Sequence, residues 1–517
     1  MFRRIVRPLV LAVCLAMVAA TAFAGAPKYV FYFIGDGLGP TQRMAAELYN
    51  KMEKNDAEAK LIMNTFPQSA LVTTYSDNTL ITDSAAGGTA LACGFKTTNG
   101  YIGKLPDGSN IKSIAEAAKE NGYAVGIVTS TRLTHATPAS FSAHNPDRNA
   151  ANEIAIDQAK SGFDFFAGGG YRHFVAKDNA EGLKSKRKDD VDVVKMFADK
   201  GYKTFVGDST RDAFRAYKPK KGEKVFAALT YSHLPYEVER RNSKMTENKL
   251  PALYELTEKA VQSLSAQDKP FFLMVEGGRI DHAAHAHDAK STIMDTIAMD
   301  EAVKVAYDFY LKHPEETLIV TAADHETGGV ALGISMDSKG YFLNLKELEK
   351  VQVSAEDNLD RYYNKLCAKE SDLKKRHAAF IAYVEKEWGL TDRTPAEDKI
   401  LADAMVVQDK NQHLPADKQT NYGYAYTPTM VAVTDLISQR ARMFWTSFVH
   451  TGTFIPATSI GVGAEKFNGF IDNTDIPNRM AEVMEVKLSD VKHTDSKALL
   501  GKTYGPQEKY AKIPYNK

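Results

Sequence analysis

Tyr29-Val30-Phe31-Tyr32-Phe33-Ile34 is an unbroken apolar run that leads straight into Gly35-Asp36-Gly37, and this junction decides how the rest of the chain is read. Six consecutive apolar, mostly β-favouring residues leave neither face of a strand for water, so the strand belongs inside a sheet covered on both sides. Ala124-Val125-Gly126-Ile127-Val128, Phe163 to Ala167, Phe271 to Val275 and Leu318-Ile319-Val320 share that character. Between these runs, Gln42 to Lys54, Ile111 to Glu120, Leu250 to Ala266 and Ser291 to Lys312 read as helices. Alternating strand and helix predicts an α/β fold, a three-layer sandwich with a central, mainly parallel sheet.

In such sheets ligands bind just beyond the carboxyl ends of the strands. The polar clusters fall there: Asp36 after the first run, Glu276 after Phe271 to Val275, and Asp324-His325 after Leu318 to Val320. From about Gly333 to Arg440 the character changes to charged helical stretches, such as Leu373 to Trp388, and a polar run through Gln408 to Tyr422. This segment reads as a largely helical insertion at about 333–440, either a lid or subunit contact or a solvated appendage.

Sixty-five basic and sixty-five acidic side chains cancel over 517 residues, which leaves no electrostatic footprint for nucleic acid or an anionic membrane. Small solutes are the expected partners. Arg3, Arg4 and Arg7, the apolar run Leu9 to Ala20 and the small-residue boundary Ala22-Phe23-Ala24 make residues 1–24 a signal peptide, too short to span a bilayer. The remaining residues 25–517 are then exported, to a periplasm or the outside, without a membrane anchor. Only Cys93 and Cys367 follow the leader, too few for a disulfide framework.

The densest chemistry lies in Glu276-Gly-Gly-Arg-Ile-Asp281-His282-Ala-Ala-His285, where a carboxylate and an imidazole four apart share a helical face at metal-ligand spacing. Mixed oxygen and nitrogen donors suit zinc, although the pair alone equally fits a surface ion pair. Asp324 and His325 can converge on one ion only where the strand breaks, as Gly328 and Gly329 would favour. Asp36 adds a carboxylate between two glycines. In Thr82-Asp83-Ser84-Ala85-Ala86-Gly87-Gly88, small residues suggest a tightly packed helix starting at Ser84, whose free N–H groups would welcome phosphate. A serine there is by default only an N-cap, and needs help to act as a nucleophile.

Taken together these motifs resemble the alkaline phosphatase family, in the family's order, over most of residues 28–330 and again at His450-Thr451-Gly452. The resemblance implies an alkaline-phosphatase-like fold, a phosphoserine formed on Ser84, and cofactors of two Zn2+ and one Mg2+. It assigns one zinc to Asp281, His285 and His450, and the other to Asp36, Asp324 and His325 with Ser84. Magnesium falls to Asp36, Thr137 and Glu276. Arg148 matches the residue that clamps two phosphate oxygens, oriented by Asp83, a task for a planar bidentate donor. His135, two before Thr137, stands where the family varies between carboxylate and imidazole, and His282 stands at another variable position; both are expected just outside the ligand set.

The activity implied by the resemblance is hydrolysis of phosphate monoesters by two in-line displacements, first onto Ser84 and then onto water, at alkaline pH, by a homodimer of broad specificity. A same-fold phosphodiesterase or sulfatase-like hydrolase is the nearest rival, and a non-catalytic phosphate-binding protein the rival from another class. Gly168-Gly169-Gly170 lacks a following Lys-Ser/Thr and reads as a turn. His144, His173 and His233 have no partner at ligand spacing and are expected to be structural.

Overall fold

The computed structural model describes residues 25–333 and 340–491. The leader read at residues 1–24 lies outside that range. Ten strands form one sheet: β1 Tyr29–Gly35, β2 Gln68–Thr73, β3 Ala124–Arg132, β4 Phe165–Gly169, β5 Tyr202–Val206, β6 Lys224–Ala228, β7 Phe271–Gly277, β8 Thr317–Ala322, β9 Ile455–Gly461 and β10 Gly469–Asp472. Their spatial order is β10-β2-β9-β8-β1-β7-β3-β4-β6-β5, and only β9 runs against its neighbours. Every residue of β7 and β8 is buried, and all of β1 after Tyr29. Because successive side chains point to opposite faces, continuous burial means helices cover both sides, the expected three-layer arrangement.

Register delivers the functional strand ends to one edge. Gly35 pairs with Gly277, Ile34 with Ala322, and Thr129 with Glu276. Asp36, Glu276 and Asp324 therefore leave the sheet side by side although Asp36 is hundreds of residues from the other two in sequence. The helix Ser84–Cys93 comes close to this edge through its glycines. A Cβ on Gly87 would sit 3.0 Å from the Asp324 carbonyl oxygen, and one on Gly88 3.3 Å from the Thr137 Cα. Any larger side chain would push Ser84 away from the strand ends.

The expected helices are present with shifted ends. The stretch read from Ile111 begins at Ile114, because Ser113 forms a capping box with Glu116. That read from Leu250 begins at Leu253, and that read from Ser291 starts at Ala289 behind the Asp288 cap. Gly168 and Gly169 belong to β4 rather than to a turn, and only Gly170 takes positive φ. The 333–440 segment carries helices Asp360–Lys369, Leu373–Trp388, Pro395–Asn411 and Pro428–Arg440. At its neck Ala331–Leu332 pairs antiparallel with Met443–Phe444, so the two ends of the segment meet. Cys93 and Cys367 are both free.

Candidate active site and metal centre

The helix Arg279–His285 starts just past β7 and puts Asp281 and His285 on one face, with Asp281 Oδ1 3.2 Å from His285 Nε2. After β8 the chain bends at Asp324, runs through Glu326–Thr327 and turns at Gly328 and Gly329, both at positive φ. Glu326–Thr327 pairs antiparallel with His450–Thr451, which brings His450 in from the far end of the chain. Its Nε2 lies 3.5 Å from Asp281 Oδ1 and 3.3 Å from His285 Nε2.

The two imidazoles are fixed in one tautomer. His285 Nδ1 donates to the Phe448 carbonyl oxygen and His450 Nδ1 to that of Thr82, both at 2.7 Å. In a neutral ring each Nε2 is then a bare lone pair. In that neutral form two lone pairs and a carboxylate oxygen converge on one space, an arrangement that a bound cation relieves. Backbone carbonyls behind metal-ligating histidines serve this purpose generally.

Beside this group lies a second. His325 Nε2 is 3.3 Å from Asp36 Oδ1, 3.3 Å from Asp324 Oδ2 and 3.2 Å from Ser84 Oγ. The His325 and His450 rings stack at 3.4 Å. Asp36, Asp281 and His325 bring one ligand atom each within 4.8 Å of one another, so Asp281 reaches both groups, whereas the resemblance pairs Asp324 with Asp36 and His325. A third group joins Asp36, His135 and Glu276. His135 Nδ1 stands 3.7 Å from Asp36 Oδ2 and 3.8 Å from Glu276 Oε1. His135, expected just outside the ligand set, thus has its Nδ1 facing the same space as these two carboxylates.

Buried acceptors without donors mark the whole cluster. Both Asp36 carboxylate oxygens, Asp324 Oδ2, Glu276 Oε1, His135 Nδ1 and Thr137 Oγ1 have no hydrogen-bond partner. Burial, then Asp324, pushes the Asp36 carboxyl well above its usual range. Burial likewise lifts Glu276 to about 7, against hydrogen bonds from Thr129 and Thr131. For Asp281 burial is outweighed where His285 and then His450 carry protons, and its carboxyl is then held well below the usual range. His135 and His450 are kept neutral by burial first, then by Arg132 and His325 respectively. Neutral imidazoles and crowded carboxylates are what divalent cations need, and uncompensated they would be costly to bury.

Asp83, not Ser84, caps the serine helix: its Oδ1 accepts from the Ala86 N–H at 2.9 Å. Its Oδ2 accepts from Gly100 N–H at 3.0 Å and from Arg148 Nη1 at 2.9 Å. One carboxylate thereby sets both the helix start under Ser84 and the guanidinium beside it. His282 Nδ1 lies 2.8 Å from Arg279 Nη1, outside the ligand groups, and its ring meets those of His135 and His233 edge-on at 5.3 and 4.5 Å. His233 thus packs behind His135 and His282, in keeping with its expected structural role. His144, bonded to Gly103 and Glu116, and His173, bonded to Asn152, are structural as expected.

Sequence reasoning missed Thr129, Thr131 and Arg279. The threonines stand two apart on β3, a period-two signal for one face, and both donate to Glu276 Oε2. Arg279 is buried, pairs with Glu356 and Asp357 of the insertion, and stacks on Tyr236 at 3.5 Å.

The family model for alkaline phosphatase matches residues 27–486. The chain belongs to the alkaline phosphatase family. Alkaline phosphatase 3 of Bacillus subtilis (strain 168) is 30% identical over 476 residues, covering 90% of each chain. Among solved structures, alkaline phosphatase from Thermus thermophilus superposes with a TM-score of 0.76 at 27% identity, over 92% of this chain and 95% of that one. A substituted alkaline phosphatase from the Antarctic bacterium TAB5, with magnesium bound in its M3 site, gives 0.58 at 25% identity, over 90% and 99%. Like its relatives, this alkaline phosphatase is a phosphoric monoester hydrolase.

Proposed function

We propose that this enzyme hydrolyses phosphate monoesters through a phosphoserine on Ser84, in a centre that takes two zinc ions and one magnesium ion. The observation that carries the reading is the set of buried, donorless oxygens and imidazole nitrogens gathered around the Ser84 hydroxyl. Asp281, His285 and His450 would hold one zinc, and Asp36, Asp324 and His325, with Ser84, the other. Asp36, Glu276 and Thr137 would hold magnesium beside His135; the TAB5 relative with magnesium in its M3 site carries an aspartate substituted for a histidine. Bound there, the cations supply charge neutralisation and Lewis acidity, and lower the pKa of an attacking water towards ~7.

The protein's own part is positioning, the main task in phosphoryl transfer. Ser84 Oγ, at the first turn of its helix, is aimed at the strand ends and forms the bond to phosphorus as the ester oxygen leaves with its alcohol. That alcohol departs on the side of Asp281, His285 and His450. Water then attacks the phosphoserine, the Oγ–P bond breaks, and phosphate is released with the proton returned to Ser84. Arg148, locked by Asp83, holds two non-bridging oxygens in both steps and favours a terminal phosphate over a diester.

Residues 25–517 form one catalytic domain in this reading, with the 333–440 insertion hanging from the paired neck at Ala331–Leu332 and Met443–Phe444. Export rests on the basic and apolar leader at residues 1–24; among the described residues no helix is long and apolar enough to cross a membrane. A homodimer is proposed from the family relationship, and light scattering on the purified chain tests it.

Steady-state turnover of 4-nitrophenyl phosphate and bis(4-nitrophenyl) phosphate, with metal analysis of the same sample, tests the central reading. Monoester should dominate, with about two zinc and one magnesium per chain. A strong diester preference would sink it.

A further inference from the structure

One residue of the insertion reaches into the site. Tyr422 and Tyr426 exchange backbone hydrogen bonds of 3.0 and 2.8 Å, closing a tight hairpin with Tyr424 at its tip. Gly423 and Ala425 flank the tip with φ of 47° and 67°. A left-handed alanine is uncommon, and such backbone persists where surroundings hold it and where a side chain must be presented in one direction.

The hairpin is held by the segment that aims His285. The Tyr422 ring lies 5.7 Å from that of Phe448, and a Cβ on Gly423 would come within 2.7 Å of the Phe448 Cβ. Phe448 accepts the His285 Nδ1 proton on its carbonyl oxygen, and its ring stacks on His287 at 4.0 Å. From this base Tyr424 sets its ring edge-on to His285, with centroids 4.5 Å apart at 77°. Tyr424 is nevertheless 61% exposed, so part of the residue beside His285 remains open to solvent.

Ser84 and Arg148 claim the phosphoryl group, and the alcohol leaves on the His285 side. The space next to Tyr424 is therefore where the rest of the substrate extends. An exposed ring held in place there can receive a second ring, and aromatic pairs gain from such contact beyond the area they bury.

We infer that Tyr424 is a specificity-determining residue, its ring forming one wall of a leaving-group subsite that favours aryl phosphate monoesters over aliphatic ones. The inference rests on the phosphomonoesterase reading with Ser84 as nucleophile.

The test compares the metal-loaded parent with Tyr424→Ala and Tyr424→Phe on 4-nitrophenyl phosphate and glycerol 1-phosphate, and measures inhibition by phenylphosphonate and inorganic phosphate. In Tyr424→Ala the ratio of kcat/KM, aryl over glycerol, should fall roughly 3- to 10-fold, chiefly through KM, with phenylphosphonate inhibition weakened alongside relative to that by phosphate. Tyr424→Phe should keep the parental ratio, since the ring rather than the hydroxyl makes the wall. An unchanged ratio in Tyr424→Ala, or Tyr424→Phe behaving like it, overturns the inference. Zinc content below the parent's in Tyr424→Ala also overturns it, by showing that the residue only props His285. If the parent itself turns over neither monoester, it is the underlying reading that fails.

Discussion

The metal centre and the helical insertion both hold charged side chains close together, and they balance them in opposite ways. At the strand ends Asp36, Glu276 and Asp324 present oxygens that no donor reaches. In the insertion, Glu397 takes two bonds of 2.8 and 2.9 Å from Arg440, and Asp409 is met by Arg376, His377 and Tyr363. None of the donorless buried atoms described between 340 and 440 is a carboxylate oxygen. The contrast separates a site from a scaffold: a matched carboxylate is finished by the chain itself, whereas a cluster of unmatched ones is finished by something the chain binds.

The comparison breaks most sharply at Ser84. Ser84→Ala should lower monoester kcat by at least about 10³-fold while most of the zinc is retained, because Asp36, Asp324 and His325 still supply three ligands without the hydroxyl. Activity within tenfold of the parent would show that the hydroxyl is a bystander of the cluster. Next comes His450→Ala, which should cost one zinc and roughly 10²-fold or more in activity, read by metal analysis and turnover together. Undiminished zinc would contradict the grouping with Asp281 and His285.

Arg148→Ala should reduce kcat/KM about 10- to 100-fold, the worth of charge-assisted hydrogen bonds to phosphate, and weaken inhibition by inorganic phosphate in parallel. The smallest effect belongs to the scaffold: Glu397→Gln should leave turnover within about twofold and cost about 0.5–1 kcal/mol of stability by denaturant melting. Hydrogen bonds from the Arg440 side chain, the strongest influence on the group, hold the Glu397 carboxyl down at about 2. Since that is below its unfolded value, the pair's contribution is complete above about pH 4.5 and lost as pH falls towards about 2. Hydrogen-exchange protection of helices Pro395–Asn411 and Pro428–Arg440 should decline over that interval in the parent and not in Glu397→Gln.

Much of the centre is legible in the sequence. Asp281 and His285 lie four apart on a real helix, Ser84 opens a real helix, and Asp83 is hydrogen-bonded to Arg148. Strands buried on both faces can be read because their runs are apolar throughout. Others, such as Tyr202–Val206, Gln68–Thr73 and Gly469–Asp472, mix exposed and buried positions over only four to six residues, too little for a period to show. His233 has no nearby partner in sequence, so its packing is invisible there; its partners are His282 and His135, brought to it by other elements.

The amino-acid sequence by itself determined the fully buried central strands and the main helices between them, and which residue types wait at their ends, since hydrophobic periodicity and local spacing are properties of contiguous residues. Only the tertiary structure decided that His135 joins Asp36 and Glu276, that Asp281 reaches both neighbouring groups, and that Tyr424 of the insertion stands over His285. Those distances depend on the register of parallel strands and on the pairing of Glu326–Thr327 with His450–Thr451. Contacts between residues hundreds of positions apart are set by packing of the whole sheet, and no local pattern carries them.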